Sequence, residues 1–364
     1  MAKKEKSFVE TIEAISPADY RMPAEWELHA ATWLAWPHQR GDWPQKFKPI
    51  PWVFAEIVRL LHTGERVRIL VEDSHSEKRA RKMLERSSVD LGQIDFFRVP
   101  TDRSWTRDFL PLFVKNPQGH IAATSWKFNG WAKYDNYRHD AAAYKPLAGK
   151  CDWTVFKPKV KLGDHFRRVV LEGGAIDVNG QGTLLATEEC LLSEIQARNP
   201  GLKKAELENL LSQYLGIKKI LWLGEGIVGD DTHGHIDDLV RFVGPRTVVV
   251  ASEIDASDEN YDRLRDAWRR LEKMSNERNE ALELVALPMP EKVVFHGKRL
   301  PASYANFYVG NQVVLVPTFN DPKDRVALDT LARCFPTRKV VPIYARDLVW
   351  GLGTLHCMTQ QEPA

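Results

Sequence analysis

Apolar residues occur along the chain in short runs that predict β-strands, and four of these runs pair with a second run across a tight turn. The turns lie at Asn116-Pro117, Asn179-Gly180, Gly244-Pro245 and Gly310-Asn311. Asn-Gly and Gly-Asn between β-branched or aromatic runs are strong hairpin signals. The pattern predicts four hairpins, whose first strands begin at Arg107, Glu172, His235 and Tyr304.

Helical periodicity follows most of the hairpins, and one more apolar run follows each helix. The spacing predicts helices over residues 133–147, 204–215, 259–274 and 321–334. Gly216 ends one of them, and Pro322 lies in the first turn of another, as helix termini favour. Near the N-terminus, a strand around Trp33 precedes a helix over 51–62 and a strand over 67–71.

The repeating unit is therefore hairpin, helix, strand. Five such ββαβ units begin near residues 33, 108, 172, 235 and 306, at similar intervals. We expect an α/β fold in which the five units form a pseudo-symmetric, five-bladed propeller, with residues 1–364 as one catalytic domain. An ordinary mixed α+β domain is the alternative.

Composition narrows the class of protein. Hydrophobic residues are 43% and charged residues 27% of 364, which is typical of a globular chain and excludes a disordered or fibrous one. Lys and Arg total 51 and Asp and Glu 49, so charge gives no reason to expect nucleic acid or an anionic membrane as a partner. We expect a cytoplasmic protein, because there is no apolar leader and the four cysteines suit a reducing compartment.

Polar residues whose side chains could take part in catalysis or binding lie at the starts of the predicted units. They are Asp108, Glu172, His235 with Asp237, and Asn306, and Cys357 follows the last unit. If the units radiate from one axis, equivalent strand starts converge and these side chains share one pocket.

Each of these residues also has a simpler interpretation. Asp108 could pair with its neighbour Arg107, and Glu172 could cap the Gly-Gly turn that follows it. His233, His235 and Asp237 could bind a metal, although their spacing matches no common zinc motif. Cys357 could be an inert thiol, as we expect for Cys190 and Cys334 in their apolar contexts.

A cysteine and a histidine together indicate covalent catalysis. The additional carboxylates indicate a cationic substrate, because a planar guanidinium matches carboxylates in bidentate pairs. Two acids could hold a guanidinium while a thiolate attacks its carbon.

These motifs resemble those of a known family. Segments along almost the whole chain are similar to the agmatine deiminases, grouped with the bacterial peptidylarginine deiminases in the guanidine-modifying (pentein) superfamily. They are Met22-Pro-Ala-Glu-Trp, Ala31-Thr-Trp-Leu-Ala-Trp-Pro, Trp105-Thr-Arg-Asp, Glu172-Gly-Gly, Asp231-Thr-His-Gly-His-Ile-Asp, Ala302-Ser-Tyr-Ala-Asn-Phe-Tyr and His356-Cys-Met-Thr-Gln-Gln. The family's five-bladed α/β propeller agrees with the five units.

The resemblance implies a role for each site residue. Cys357 corresponds to the nucleophile, His235 to the general acid and base, and Asp108 and Asp237 to the pair that grips the guanidinium. The remaining roles are Glu172 near His235 or the substrate, Asp231 near the distal amine, Trp105 in the pocket wall and Asn306 as a site amide. The chain departs from the usual pattern at Phe109-Leu110-Pro111 and at Gly351-Leu352-Gly353-Thr354, which puts the exact substrate in question.

The implied reaction is hydrolysis of agmatine, a small cationic guanidine, to N-carbamoylputrescine and ammonia. A peptidylarginine deiminase, an amidinotransferase and a non-catalytic binding protein are the alternatives. We expect no cofactor and no metal, and the sequence leaves the oligomeric state open, with a homodimer as one option. Three carboxylates near Cys357 would raise the pKa of its thiol, so that the cationic substrate would have to offset their charge.

Overall fold

The computed structural model describes residues 16–364, over which short strands and helices alternate. Its α-helices are α1 (Ile50–Leu61), α2 (Ser74–Arg86), α3 (Thr106–Phe109), α4 (Arg138–Ala142), α5 (Tyr144–Lys150), α6 (Glu188–Leu191), α7 (Lys204–Leu215), α8 (Tyr261–Leu271) and α9 (Lys323–Cys334). Its strands are β1 (His29–Ala35), β2 (Arg66–Val71), β3 (Ile94–Arg98), β4 (Leu112–Lys115), β5 (Ile121–Thr124), β6 (Thr154–Phe156), β7 (Lys159–Leu162), β8 (His165–Arg168), β9 (Asp177–Val178), β10 (Thr183–Thr187), β11 (Lys219–Leu223), β12 (Val240–Phe242), β13 (Thr247–Ser252), β14 (Glu283–Pro288), β15 (Val294–Phe295), β16 (Lys298–Arg299), β17 (Tyr308–Val309), β18 (Val313–Thr318), β19 (Lys339–Tyr344) and β20 (Gln360–Pro363).

Four three-stranded sheets have the predicted order of hairpin, helix and strand. In each, an antiparallel pair is followed by a helical crossover to a third, parallel strand. The sheets are β4-β5-β6, β9-β10-β11, β12-β13-β14 and β17-β18-β19, and two further hairpins, β7-β8 and β15-β16, stand apart. The Asn-Gly and Gly-Asn turns therefore mark real hairpins.

The fifth sheet is built differently from the prediction. It has the order β20-β1-β2-β3, in which β1 pairs in parallel with β2 and antiparallel with β20, so that Trp33 lies opposite Gln360. A strand from the other end of the chain thus takes the place of the hairpin partner. No local signal predicts this pairing, because it joins segments that are far apart in sequence.

The predicted first strands of the hairpins are wrong at their beginnings. A helical turn occupies each of these positions before the strand starts, at Thr106–Phe109, Gly173–Ala175, Ile236–Asp238 and Tyr304–Asn306. Nearly all side chains in these turns are buried, and each turn is too short to show a helical period, so the sequence gives no signal that separates it from the strand that follows. The turns contact one another in succession and, with the residue directly before each turn, include most of the polar residues singled out in the sequence.

Three clusters of buried apolar side chains lie among the sheets and helices. The largest contains Trp33, Phe54 and Tyr304 and includes Cys357, which places the predicted nucleophile at the edge of packed core.

Among the helices of residues 16–364, none is long and apolar enough to span a membrane.

We expect Gly216→Ala to destabilise the protein more than Gly119→Ala, because only at Gly216 would the new methyl group meet neighbouring atoms. Gly216 ends α7 with φ 69°, and a Cβ there would lie 2.6 Å from the carbonyl oxygen of Tyr20. Gly119 also has a positive φ, 88°, but a Cβ there would meet no described atom within 4 Å. Urea unfolding should show a loss of about 1–2 kcal/mol for Gly119→Ala, from backbone strain alone, and a clearly larger loss for Gly216→Ala. Equal losses would contradict the contact with Tyr20.

Candidate active site

A cleft of about 340 Å³ opens beside the helical turns. Its lining includes four residues that the sequence singles out, Trp105, Asp108, Asp231 and Cys357. Aromatic, acidic and thiol groups therefore meet in one concave site, which is the usual form of a small-molecule site.

Cys357 lies almost fully buried in the wall of this cleft, with 8% of its surface exposed. The side-chain amide of Asn306 donates to its Sγ at 3.1 Å, and Asp237 Oδ2 lies 3.6 Å from the same sulfur. The Thr354 hydroxyl donates to Asn306 Oδ1 at 2.7 Å and so fixes this amide. A Cβ at Gly353 would lie 3.2 Å from Sγ, which explains why the turn before the cysteine keeps a glycine there.

Burial raises the pKa of the Cys357 thiol well above its usual value, and the charges of Asp237, Asp238 and Asp108 raise it further. The hydrogen bond from Asn306 acts in the opposite direction but does not offset them. The thiol is therefore protonated in the free protein, in agreement with the expectation from the sequence.

A histidine that the sequence analysis did not select holds Asp237 in place. His356 Nδ1 lies 2.7 Å from Asp237 Oδ2, and its Nε2 lies 2.8 Å from Glu25 Oε2. Only a ring protonated on both nitrogens donates to both carboxylates. Burial raises the pKa of Asp237, but the hydrogen bond and charge of His356 outweigh burial, so that the net pKa is lowered and Asp237 stays ionised.

Glu25 is the centre of a buried ionic network behind the nucleophile. Its Oε2 accepts from Arg241 at 3.0 Å and Arg107 at 3.3 Å as well as from His356, and its Oε1 accepts from the Val309 amide at 2.8 Å. Burial raises the pKa of Glu25, but the charges of Arg241, His356 and Arg107 hold it well below its usual value. Segments from four parts of the chain therefore meet at one carboxylate.

Asp108 is a further acid that lines the cleft. Its Oδ2 accepts from Trp131 Nε1 at 2.8 Å, and its Oδ1 accepts from the Gly174 amide at 3.0 Å. A Cβ at Gly174 would lie 2.9 Å from this oxygen and 2.5 Å from His235 Nδ1, so the glycine permits both approaches. Burial and two neighbouring carboxylates raise the pKa of Asp108 to about 6, although His235 lowers it.

His235 lies between two acids. Its Nδ1 is 4.0 Å from Asp108 Oδ1, and its Nε2 is 3.9 Å from Glu172 Oε2. Burial lowers the pKa of His235, but the charge of Asp108 and the neighbouring acid groups raise it well above its usual value. Arg198 donates to Glu172 Oε1 at 3.0 Å and to the Thr232 carbonyl, and its charge, acting against burial, lowers the pKa of Glu172 to about 2.

Asp231 lies farther out in the cleft, where its side chain is 21% exposed. It accepts from Lys133 Nζ at 2.5 Å and from the Tyr134 hydroxyl at 2.6 Å. Trp105 lines the same cleft and packs on Trp43, with ring centroids 5.4 Å apart. The site thus has a thiol beside acidic groups, an aromatic wall and, farther out, the carboxylate of Asp231, which is already paired with Lys133.

The geometry suits a planar cation. Asp108 and Asp237 can accept hydrogen bonds from a guanidinium, Cys357 can attack its carbon, and a protonated His235 can supply a proton to a leaving nitrogen.

Comparison with known proteins gives the family. The model of the Porphyromonas-type peptidyl-arginine deiminases matches residues 21–363. This chain belongs to that family. A protein of Selenomonas ruminantium is 37% identical over 95% of this chain and 96% of its own length, and the agmatine deiminase of Pseudomonas aeruginosa is 34% identical over 95% and 96%. The solved structure of the Enterococcus faecalis agmatine deiminase is 30% identical, covers 97% of this chain and 98% of its own, and has a TM-score of 0.86.

The mixed α/β fold is thus that of this deiminase family, and the resemblance found in the sequence is confirmed. The structure gathers every residue that the resemblance carried over into one region, in or beside the cleft. These residues are Trp105, Asp108, Glu172, Asp231, His235, Asp237, Asn306 and Cys357.

Three simpler interpretations do not hold in the structure. Arg107 binds the ionic network rather than Asp108. Glu172 precedes its helical turn without a side-chain capping bond and pairs with an arginine. His233, which has a positive φ of 67°, lies 3.7 Å from Glu189 Oε1 and forms no metal cluster with its neighbours in the described part of the chain.

Five residues of the site escaped the sequence analysis: Glu25, Trp131, Arg198, Arg241 and His356. Two of them had a signal, because Glu25 and His356 lie within the segments that carry the family resemblance. Arg198 and Arg241 are charged residues in otherwise ordinary runs, and Trp131 reaches Asp108 from a helical turn with a positive φ of 58°. Only the folded chain shows what they contact.

The departures from the family pattern have different structural roles. Thr354 holds the amide beside the thiol, as described above, and Leu110 is buried in the core after α3. Leu352 lines the cleft with a φ of 69°, in the left-handed region that favours glycine.

We expect Glu25→Gln to destabilise the protein by about 3–5 kcal/mol, because it leaves two arginines and a histidine buried beside a neutral group. Glu27→Gln is the matched control, since Glu27 pairs with Arg21 at the surface, with side chains 33% and 44% exposed. That change should cost about 0–1 kcal/mol. Chemical unfolding of the two variants measures the difference, and equal stabilities would contradict the central place of Glu25.

Proposed function

We propose that the protein is an agmatine deiminase, which hydrolyses agmatine to N-carbamoylputrescine and ammonia. The observation that carries this proposal is the placement of Cys357 Sγ 3.6 Å from Asp237, in a cleft that also holds Asp108 and, farther out, Asp231. The Pseudomonas aeruginosa and Enterococcus faecalis relatives, both named agmatine deiminase, support the choice of substrate.

Substrate binding prepares the nucleophile. Asp108 and Asp237 hold the guanidinium, and its positive charge offsets the carboxylates that raise the pKa of the Cys357 thiol. The thiol then loses its proton to solvent and becomes a thiolate. In the free protein, burial and the same carboxylates keep it neutral.

Two steps complete the reaction. In the first, a bond forms between Cys357 Sγ and the guanidinium carbon, and a C–N bond breaks as protonated His235 gives its proton to the departing ammonia. In the second, neutral His235 takes a proton from water, and the resulting hydroxide attacks the carbon of the thiouronium. The C–S bond then breaks, the thiolate leaves, and the hydroxyl proton of the product returns to the sulfur. One agmatine and one water give one N-carbamoylputrescine and one ammonia. Glu172 and Arg198 hold His235 from the side away from Asp108.

Asp231 determines the distal end of the substrate. Its carboxylate is bound to Lys133 Nζ in the free protein, and we infer that the terminal ammonium of agmatine replaces this lysine. A peptidyl arginine has no such ammonium, which makes it the weaker candidate. Transfer of the amidino group to an amine would share the covalent intermediate and differ only in the acceptor.

The five sheets form the five blades of a propeller in this proposal. The successive contacts among the helical turns at Asp108, Glu172, His235 and Asn306 support a common axis, at which the site residues meet. The free thiols of Cys151, Cys190, Cys334 and Cys357 support a cytoplasmic location.

Ammonia release tests the reaction and the substrate together. We expect turnover of agmatine, little turnover of free arginine or of a peptide with internal arginine, and no turnover by Cys357→Ala. A preference for the peptide would overturn the role of Asp231. Release from agmatine that survives Cys357→Ala would overturn the nucleophile.

Kinetics can distinguish the two cations that compete for Asp231, the substrate ammonium and Lys133. Asp231→Asn should raise KM for agmatine at least about tenfold with a much smaller change in kcat, as expected when binding of a remote group is lost. Lys133→Met should lower KM, because the substrate ammonium no longer displaces a lysine. Unchanged KM values in both variants would contradict the proposed distal contact.

Activity should fall on the acidic side with the ionisation of Asp108. Its pKa is raised to about 6, so the carboxylate that grips the guanidinium is lost as the pH decreases below that value. The pH profile of kcat/KM should become steeper by about a further tenfold per unit below about pH 6, because the loss of the Asp108 carboxylate adds to the protonation of the Cys357 thiol, which already lowers kcat/KM of the free enzyme as the pH falls. A steepening that begins only near the ordinary aspartate pKa of about 4 would contradict this assignment.

A further inference from the structure

Cys190 lies in a place that the sequence analysis did not anticipate. It belongs to a buried apolar cluster, as expected, and sits on the short helix α6 after β10. Its Sγ nevertheless lies within 4.8 Å of a ring nitrogen of His235 and of a carboxylate oxygen of Glu172, and these two atoms lie within the same distance of each other. The proposed reaction gives this thiol no task.

The three groups come from separate segments and are all buried. Glu172 precedes one helical turn, His235 precedes the next, and α6 brings Cys190 between them. Glu172 Oε2 and His235 Nε2 are 3.9 Å apart, and neither has a hydrogen-bond partner among residues 16–364. Buried polar atoms are normally satisfied, so two unsatisfied atoms that face a third ligand indicate a missing occupant.

We propose that Glu172, Cys190 and His235 form an inhibitory binding site for a thiophilic divalent ion, Zn²⁺. Thiolate, imidazole and carboxylate are the ligands that zinc takes in proteins, and three of them leave a fourth position for water. The three ligand atoms lie within 4.8 Å of one another, so only a small rearrangement would bring them to the distances of a tetrahedral zinc site. The carboxylate and the thiolate balance the charge of the ion.

Neighbouring groups support the ligands as outer contacts do in known metal sites. Arg198 binds the other oxygen of Glu172 and leaves Oε2 free for the ion. Asp108 Oδ1 lies 4.0 Å from the second ring nitrogen of His235, an ion-pair distance that a small shift would shorten to the hydrogen bond by which a carboxylate orients a metal-bound imidazole.

Zinc at this site would stop the reaction without touching the nucleophile. A ring bound to the ion through Nε2 has one nitrogen left and cannot carry two protons, so it no longer cycles between imidazolium and imidazole. His235 therefore loses its function as acid and base, whichever nitrogen faces the substrate.

The first test measures binding alone and does not depend on the identity of the substrate. Metal-free protein is titrated with Co²⁺, whose bond to a thiolate gives an intense charge-transfer absorption, and Zn²⁺ is then added as competitor. We expect wild type, Cys357→Ser and the control Cys334→Ser to show the band at one equivalent. Cys190→Ser should lose it, and Zn²⁺ should abolish it in the others.

Three results would overturn the proposal: no band in wild type, a band that persists in Cys190→Ser, or a band that disappears in Cys357→Ser, which would place the metal on the nucleophile. Circular dichroism checks that Cys190→Ser is folded. If it is not, Glu172→Gln decides, because it keeps all thiols and should weaken Co²⁺ binding at least about tenfold. Unchanged affinity in Glu172→Gln would also refute the site.

The second test rests on the proposed function. Zn²⁺ should inhibit agmatine hydrolysis by wild type, a chelator should reverse it, and Cys190→Ser should need at least about tenfold more zinc for the same fractional loss. Inhibition at equal zinc in both proteins would overturn the inhibitory role. Absence of any agmatine hydrolysis would count against the proposed function alone, since the cobalt titration would still report on the site.

Discussion

A single buried carboxylate, Glu25, connects the nucleophile to the rest of the fold. It accepts hydrogen bonds from Arg107, Arg241 and His356, and His356 in turn binds Asp237 beside the thiol. Buried charges are tolerated only when they are paired, so each of these groups restricts where the others can lie. The residues of this network lie in the N-terminal region, in α3, in β12 and in the C-terminal turn, so the network fixes both the site and the arrangement of these segments.

The ionisation of each acid in and beside the cleft depends on whether it has a cationic partner. Glu172 is paired with Arg198 and Asp237 with His356, so the pKa values of both carboxyl groups are lowered and both stay ionised. Among residues 16–364, Asp108 accepts hydrogen bonds only from neutral donors, with His235 4.0 Å away, and burial raises its pKa to about 6. Burial, together with the charges of Asp237, Asp238 and Asp108, keeps the Cys357 thiol protonated until a cation enters. The site is thus complete only with a substrate of positive charge, which connects the choice of substrate to the activation of the nucleophile.

Much of the fold could be predicted because its signals are local. Turn dipeptides gave the four hairpins, and helical spacing gave α1, α7, α8 and α9 to within a few residues. The helical turns before the hairpins were missed, since fully buried turns have no periodicity, and the pairing of β1 with β20 has no local signal at all. Of the site residues that line the cleft, Trp105, Asp108, Asp231 and Cys357 were found through their motifs, whereas Trp131 was not. Arg198, Arg241 and Cys190 were not, because a residue that acts through a distant contact looks ordinary in its own segment.

The central claim is that the Cys357 thiol is neutral in the free protein, and its alkylation rate tests this most directly. Iodoacetamide reacts with the thiolate, and peptide mass spectrometry follows Cys357 separately from the other cysteines. Our account predicts slow labelling at neutral pH and a rate that still rises with pH above 9, beyond the ordinary thiol pKa of about 8.5. A rate that has already reached its plateau at neutral pH would show a thiolate in the empty site and would contradict the account.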